Sequence, residues 1–290
     1  MRILVAYDGS PGAGVAVDLV RAIPWPAGSS IRFLTAVDRA PLTSSSYPVP
    51  DEGQHLLEAA AAEASADGLA VAASIRDRGI TVDAAIAYGR PSTAIEEAIT
   101  SFAADVVVLG SRGRGPISGL FLGSVSAEVA ERASRPVLIA RSPNVGPIVF
   151  ATDGSPASRA AESFLAASAM FADGEVYVVS VATLAYAYTG LPGPSMHDVA
   201  LEAEAKTLAD DAAMRLSAAG LRPRSRVRMG DAAAQIVGLA QAVDAGLIVI
   251  GSRGRLGFTG MLLGSVARNV LYSSGCSVLV VREDQPPAAT

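Results

Sequence analysis

Two glycine-rich stretches of the chain have residue types and spacing that suit the binding of phosphate groups. The first reads GSRGRGPISGLFLGS over residues 110–124, and the second reads GSRGRLGFTGMLLGS over residues 251–265. Glycine lets the backbone approach a ligand closely and adopt positive φ, so that successive amide groups can point at phosphate oxygens. The Gly-Ser pair that ends each stretch is predicted to open a helix, whose N-terminal N–H groups attract an anion. Positive charge for pairing with phosphates would come from Arg112, Arg114, Arg253 and Arg255.

The alternative for each stretch is a flexible connection between a strand and a helix. Both stretches follow a predicted buried strand, and both have the spacing Gly-x2-Gly-x9-Gly-Ser. This recurrence favours phosphate sites over simple connections. Ser124, at the end of the first spacing, would either cap the following helix or donate its hydroxyl group to a phosphate.

An aspartate lies at the end of the first apolar segment in each half of the chain. Asp8 is followed by Gly9, and Asp153 is followed by Gly154. Asp-Gly is also a common turn pair, so a role in the turn alone is the alternative. In open α/β sheets, ligands bind beyond the carboxyl ends of the strands, where the strand order reverses. If the first and fourth strands are neighbours, each aspartate faces the same crevice as one glycine stretch.

The chain is an internal repeat of a whole domain. The two glycine stretches lie 141 residues apart, and the two aspartates lie 145 residues apart. This period is too long for a solenoid and indicates a duplicated domain. Proline and glycine residues between 142 and 146 mark the boundary. We therefore predict one nucleotide-binding α/β domain over residues 1–143 and a second over residues 144–290.

Short apolar segments alternate with helical patterns in both halves. The strands predicted in the first half are Arg2–Tyr7, Ile31–Val37, Thr81–Ala87, Val106–Leu109 and Val137–Ala140. Those predicted in the second half are Ile148–Ala151, Val176–Val181, Arg224–Met229, Leu247–Ile250 and Val278–Val281. Such alternation predicts a mostly parallel sheet with helices on both faces. The long segments 38–54 and 182–197, which follow the second strand of each half, are predicted to be lids or disordered loops.

Composition excludes several functional classes. The chain has 290 residues and a net charge of −5, which gives it no electrostatic footprint for nucleic acid. Cys276 is the only cysteine and His55 and His197 are the only histidines, which argues against a disulfide, a zinc site and a histidine-based metal cluster. No apolar run approaches the roughly 18 residues of a membrane helix, and the initial apolar run ends at Asp8, too early for a signal peptide. We expect a cytoplasmic protein without nucleic-acid or membrane partners.

The glycine spacing, together with an aspartate at the end of the first strand, resembles the ATP-binding branch of the universal stress proteins. The resemblance covers essentially the whole chain, as a tandem two-domain member. It implies two five-stranded sheets of order 3-2-1-4-5, one ATP site in each domain, and further assembly into a homodimer of the two-domain chain. The residues do not specify which protein partners such a chain binds or which stress it senses.

The resemblance also implies roles for individual residues. Asp8 and Asp153 would approach the ribose or, indirectly, a Mg²⁺ ion near the phosphates, and the backbones of Val37 and Val181 would meet the adenine. Ribose and phosphates would be held by Gly110, Gly113, Gly123, Ser124 and Val125 in the first domain, and by Gly251, Gly254, Gly264, Ser265 and Val266 in the second. The family often has histidine between the first two glycines. Arg112 and Arg253 stand there in this chain and strengthen the local positive charge.

These features favour a nucleotide-dependent regulatory protein over a fast enzyme. No Walker loop ending in Gly-Lys-[Ser/Thr] is present, and Lys206 is the only lysine of the chain. The Ser-Gly-Gly-x-Asp-Ser signature of adenylate transfer is also missing. The alternative is a slow Mg-dependent ATPase or nucleotidyl-transfer enzyme that uses Asp8 or Asp153. A dinucleotide-dependent oxidoreductase is disfavoured, because residues 8–14 lack the Gly-x-Gly-x-x-Gly spacing.

Overall fold

The computed structural model divides the chain into two compact units, Met1–Pro143 and Asn144–Ala288. The structure describes residues 1–37, 79–113, 122–168, 171, 174–183, 196–255 and 263–283, and six single residues between 59 and 73. Most of the two predicted lid segments, and Arg114 of the first glycine stretch, lie outside the described residues.

The first unit contains one parallel sheet with helices on it. Its strands are β1 (Arg2–Ala6), β2 (Ser30–Val37), β3 (Thr81–Tyr88), β4 (Val106–Gly110) and β5 (Val137–Ala140). Its described helices are α1 (Pro11–Ala22), α2 (Pro91–Ser101) and α3 (Ser124–Arg132). The strand order is β3-β2-β1-β4-β5, and every neighbouring pair is parallel. The predicted order 3-2-1-4-5 is therefore confirmed in this unit.

The second unit repeats the same topology. Its strands are β6 (Ile148–Ala151), β7 (Glu175–Ala182), β8 (Arg222–Met229), β9 (Leu247–Gly251) and β10 (Ser277–Val281). Its described helices are α4 (Pro156–Ala167), α5 (Met196–Ala218), α6 (Ala232–Ala242) and α7 (Ser265–Ser273). The order β8-β7-β6-β9-β10, again with parallel neighbours, matches that of the first unit strand for strand.

The central strands form the core of each unit. Every residue of β4 and of β9 is buried, as expected when helices cover both faces of a parallel sheet. The edge strands β3 and β8 are far more exposed. The carboxyl ends of the buried strands therefore provide a rigid base for the loops that follow them. Among the described helices, none has the length and apolar character needed to cross a membrane.

Helices α1 and α4 begin directly after the two Asp-Gly turns. Ser10 and Ser155 are their N-cap residues, and each side chain accepts a hydrogen bond from a backbone N–H three residues later, at 3.1 Å and 3.2 Å. Proline occupies the first helical position in both, where its missing N–H has no cost. These caps hold each turn, and the aspartate in it, at the end of its strand.

Candidate functional site

In each unit, the strand that precedes the aspartate is the neighbour of the strand that precedes the glycine stretch. Strand β1 pairs with β4 in a register that places Val5 opposite Val108, and β6 pairs with β9 with Ala151 opposite Ile250. The strand order reverses between these two strands, which is where open α/β sheets form a ligand crevice. The expectation that both landmarks face one crevice is therefore confirmed.

In the first unit, the carboxylate of Asp8 joins the turn to the glycine loop. Its Oδ1 accepts a hydrogen bond from the backbone N–H of Ser10 at 3.0 Å, and Gly9 between them has a φ of 73°. The other oxygen faces the loop, since a Cβ at Gly113 would lie 2.9 Å from Asp8 Oδ2. The aspartate therefore serves the turn with one oxygen and reaches the site with the other.

The second unit has the same arrangement around Asp153. Its Oδ1 accepts from the backbone N–H of Ser155 at 3.0 Å, and Gly154 has a φ of 73°. Its Oδ2 accepts from the backbone N–H of Arg255 at 3.0 Å, and a Cβ at Gly254 would lie 2.8 Å from that oxygen. The turn role and the site role, which sequence treats as alternatives, are compatible here.

The first glycine of each stretch is required by packing. A Cβ at Gly110 would lie 2.3 Å from the backbone of Gly12 in the first turn of α1. A Cβ at Gly251 would lie 2.6 Å from the backbone of Ala157 and Ser158 in α4. Both glycines are buried, so their small size is explained by the close approach of a helix to the end of the central strand.

The other described glycines of the stretches do not adopt the expected positive φ. Gly113 and Gly254 lie outside that region, and Gly123 and Gly264 have φ values of −63° and −71°. The expectation of positive φ in these loops is therefore wrong at the described positions. Within the crevice, positive φ occurs instead in the Asp-Gly turns, where the chain must reverse sharply between strand and helix.

Helices α3 and α7 start at the crevice without a side-chain cap. Gly123 and Gly264 are their N-cap residues and have no side chain that could accept a hydrogen bond from the first turn. Ser124 and Ser265 are instead the first helical residues, and both are exposed. The predicted cap by Ser124 is therefore wrong, because the preceding glycine occupies the capping position. The half-buried Val125 and Val266 follow in each first turn.

The arginines of the two loops differ in their contacts. Arg112 is exposed, and its backbone carbonyl accepts from Ser10 Oγ at 3.3 Å. Its counterpart Arg253 has an Nη2 atom 3.6 Å from Glu283 Oε2. The Nη1 atom of Arg255 lies 2.6 Å from Glu204 Oε1 on α5. Two of the predicted phosphate partners in the second unit are thus engaged with carboxylates.

Arg282, which sequence reasoning did not assign to the site, adds a further positive charge to the second loop. Burial lowers the pKa of its guanidinium, and the positive charge of Arg253 lowers the pKa further. The signal was present in the sequence, because Arg141 follows β5 just as Arg282 follows β10. The two guanidinium groups repel each other, and a bound anion would relieve that repulsion.

Val37 and Val181 do not occupy equivalent positions. Val37 ends β2, and its carbonyl accepts from the backbone N–H of Gly89 at 2.9 Å. The residue with the same environment in the second unit is Ala182, whose carbonyl accepts from the N–H of Gly230 at 3.0 Å. Val181 precedes it and therefore points to the other face of the sheet. The prediction that Val37 and Val181 are equivalent residues is wrong by one residue, since Ala182 is the counterpart of Val37.

Each crevice contains one aspartate that could serve a metal ion. Among the residues that the structure describes, no three or more His, Cys, Asp or Glu side chains are grouped as metal ligands. One aspartate carboxylate suits a Mg²⁺ ion that is held mainly by water and by phosphate oxygens. Asp8 and Asp153 are the residues in question.

Comparisons with known proteins match both halves of the chain to the same family. The model of the "Universal stress protein family" matches residues 1–141 and again residues 144–282. A universal stress protein of Mycobacterium tuberculosis H37Rv is 34% identical over 240 residues, which cover 80% of this chain and 78% of that protein. Another, from M. tuberculosis CDC 1551, is 32% identical, with 99% of this chain and 97% of that protein covered.

A solved structure has the same fold over almost the whole chain. The crystal structure of a universal stress protein from Archaeoglobus fulgidus is similar with a TM-score of 0.67 at 20% sequence identity, covering 97% of this chain and 98% of that one. The chain therefore belongs to the universal stress protein family and carries two of its domains in tandem.

Proposed function

We propose that this protein is an ATP-binding regulatory protein of the stress response, with one nucleotide site in each unit. The observation that carries the proposal is the duplicated crevice. In both units an aspartate reaches from the turn after one central strand to the glycine loop after the next, beside a helix that begins without a side-chain cap.

The uncapped helices supply the phosphate side of each proposed site. The first N–H groups of α3 and α7 have no intrahelical partners, and a phosphate at this position would accept from them and interact with the positive end of the helix dipole. Such an interaction would order the loop and the helix start together.

The capping glycines have a physical explanation in a ligand. Among the described residues, a Cβ at Gly123 would lie no closer than 3.5 Å to its neighbours, and one at Gly264 no closer than 3.4 Å. These neighbours therefore leave room for a side chain at both positions. A phosphate close to the backbone would use that room.

The charge of the second crevice also suits a polyphosphate. Arg253 and Arg282 are close enough for the charge of one to depress the pKa of the other. A triphosphate would accept hydrogen bonds from guanidinium groups and reduce their repulsion. The residues present thus fit a nucleotide, and the choice of ATP among nucleotides follows from the motif's resemblance to the ATP-binding branch of the family.

The chain's own residues would bind and orient the nucleotide rather than transform it. Asp8 and Asp153 would accept hydrogen bonds from the ribose or hold the water shell of a Mg²⁺ ion, and the ends of β2 and β7 would meet the base. Binding would favour conformations in which the turn, the loop and the helix start are held together, and so alter the surface offered to partner proteins.

Release of nucleotide from the purified protein tests the proposal directly. The native chain is denatured, and the nucleotide set free is identified and counted per chain. We expect adenine nucleotide approaching two moles per chain once the protein is saturated with ATP. Equilibrium dialysis without binding of any adenine nucleotide would contradict the proposal.

The second candidate is a slow Mg-dependent ATPase or nucleotidyl-transfer enzyme. The observation in its favour is that one oxygen of Asp8 and of Asp153 faces the loop. ATP turnover above that of the protein-free reaction that disappears in an Asp8→Ala, Asp153→Ala chain would favour this enzyme over a regulatory binder.

Homodimerisation and a cytoplasmic location stay predictions from the family resemblance and the composition. Light scattering of the purified chain gives the molar mass in solution, and fractionation of the native cells gives the location. A monomeric mass at micromolar concentration would contradict the dimer.

A further inference from the structure

An ion pair ties the glycine loop of the second unit to helix α5. Arg255 Nη1 lies 2.6 Å from Glu204 Oε1, and the backbone N–H of Arg255 donates to Asp153 Oδ2 at 3.0 Å. One residue of the loop is therefore held by the aspartate of the crevice and by a carboxylate of the helix.

The same face of α5 also contacts the Asp-Gly turn. Leu208 follows Glu204 by one helical turn, so both side chains lie on one face of the helix. Leu208 is so close to the turn that a Cβ at Gly154 would lie 2.6 Å from its Cδ2 atom. Glu204 thus projects from a helix that borders the crevice.

Helix α5 is firmly packed, so the position of Glu204 is restrained. Ala205, Ala209 and Leu216 are buried, and Arg215 pairs with the buried Glu162 of α4. Hydrogen bonding to Glu162 raises the pKa of Arg215. The carboxylate of Glu204 therefore stays beside the loop.

A bound nucleotide would meet this carboxylate where its phosphates need positive charge. While Arg255 Nη1 pairs with Glu204, fewer donors of its guanidinium are free for a phosphate, and the negative charge of Glu204 repels one. We propose that Glu204 sets the charge preference of the second site by competing with the ligand's phosphates for Arg255. This inference rests on the proposed nucleotide site.

The offset of 141 residues that relates the two glycine stretches also relates β3 to β8, and it places Glu63 at the position of Glu204 in the first half. Glu63 lies outside the described residues, so the competition is proposed for the second site. That site would bind multiply charged ligands more weakly than it would without Glu204.

Calorimetric titration of a Glu204→Gln chain with ATP, ADP and AMP tests the proposal. A Gly123→Leu background disables the first site, so that only the second is titrated. Because exposed ion pairs are weak, we expect ATP affinity to rise about threefold. The gain should be smaller for ADP and near zero for AMP, which carries the least phosphate charge to compete for the guanidinium. Glu202→Gln is the matched control, since Glu202 is exposed on the same helix two residues away.

A double variant separates competition for Arg255 from a general change in charge. In an Arg255→Gln chain, the additional Glu204→Gln substitution should no longer strengthen ATP binding, because the contested guanidinium is gone. Equal gains in the Glu202→Gln and Glu204→Gln chains, or no gain in the latter, would overturn the role of Glu204 and leave the nucleotide site standing. Failure of ATP to bind any of these chains, with the native chain included, would overturn the proposed function itself.

Discussion

The two crevices of this chain share their backbone arrangement and differ in the side chains that support it. In the first unit, Ser126 Oγ donates to the carbonyl of Gly110 at 2.7 Å in a buried position. The second unit has Ala267 at that place and makes no such bond. The strand end and the helix start are thus linked by a side chain in one unit only.

At the Asp-Gly turn, it is the second unit that has the additional side-chain hydrogen bonds. In the second unit, Thr152 Oγ1 lies 3.3 Å from Ser158 Oγ and accepts from the backbone N–H of Gly154 at 3.3 Å. The first unit has Tyr7 and Ala13 at these places. Each unit therefore stabilises the same turn and loop with a different set of hydroxyl groups. The comparison teaches that the backbone geometry is the common element and that its polar supports are interchangeable.

The units diverge further at the edge of the sheet, away from the crevices. In the first unit, Arg32 forms two hydrogen bonds with Asp83, at 2.7 Å and 2.6 Å, and lies over the ring of Phe102. In the second unit, two arginines of the edge strand, Arg224 and Arg226, lie over the ring of Tyr177. The arginine that lies over an aromatic ring is thus on the inner strand β2 in the first unit and on the edge strand β8 in the second. The sheet edges of the two units therefore carry different charge.

The largest expected effect comes from filling the space beside the first glycine of each loop. Gly110→Ala places a Cβ 2.3 Å from the backbone of Gly12, and Gly251→Ala places one 2.6 Å from the backbone of α4. Since backbone atoms cannot yield as a side chain can, we expect each substitution to lower the free energy of unfolding by about 3 kcal/mol. Denaturant titration measures this effect.

Gly14→Ala is the matched control for these substitutions. Gly14 lies in α1, and a Cβ there would have no neighbour within 4 Å. Alanine should stabilise that helix by about 0.5–1 kcal/mol. If Gly110→Ala were as stable as Gly14→Ala, the close approach of α1 to β4 would be wrong.

The next largest effect distinguishes a glycine needed by the fold from one needed by a ligand. Gly123→Ala and Gly264→Ala fit the described surroundings, because the nearest described atoms lie 3.5 Å and 3.4 Å from the new Cβ. We expect a small fall in melting temperature, since alanine is a poorer N-cap than glycine, and a loss of ATP affinity of about tenfold, or 1.4 kcal/mol, at the substituted site only. Calorimetry and thermal unfolding on the same samples measure both quantities. Full affinity in both variants would show that the phosphates lie elsewhere.

A smaller effect is expected from the aspartates. Asp8→Asn and Asp153→Asn keep an oxygen that can accept from the backbone N–H two residues later, so the turn should persist. The lost charge should reduce the gain in ATP affinity that Mg²⁺ provides, by roughly tenfold or less, because the ion is held mainly by water and phosphate. Titrations with and without Mg²⁺ give the ratio of the two ATP affinities. A ratio equal to that of the native chain would remove the aspartates from the metal site.

The smallest effect is expected from exchanging the side chains that link the strand end to the helix start in the two units. Ser126→Ala removes the buried hydrogen bond to the carbonyl of Gly110 and should cost about 1 kcal/mol. Ala267→Ser introduces a hydroxyl at the equivalent place and should recover part of such a bond in the second unit. Denaturant titration of both chains tests whether the supports are interchangeable. A loss of ATP affinity in Ser126→Ala larger than its loss of stability would instead give Ser126 a direct role.

Much of the fold follows from local pattern, and the site follows only in part. The strands and the duplication were predictable because apolar periodicity and repeated motifs reflect the chain's neighbouring residues. The strand order, and with it the pairing of β1 with β4, was implied only by the resemblance to the universal stress proteins. The alignment of Val37 with Val181 failed because a shift of one residue leaves the apolar pattern of a buried strand unchanged. Only hydrogen bonds between neighbouring segments, such as that from the N–H of Gly230 to the carbonyl of Ala182, show which residues are equivalent.

The sequence by itself determined that two α/β domains exist, that each has an aspartate and a glycine stretch after its central strands, and that arginine provides nearly all the positive charge. The tertiary structure alone decided what each of these residues does. Gly110 is small because a helix packs on it, while a Cβ at Gly123 would lie 3.5 Å from the nearest described atom. Arg255 pairs with Glu204. These roles depend on contacts between segments far apart in the chain, such as Asp153 with Arg255, 102 residues away, and local pattern carries no record of such distances.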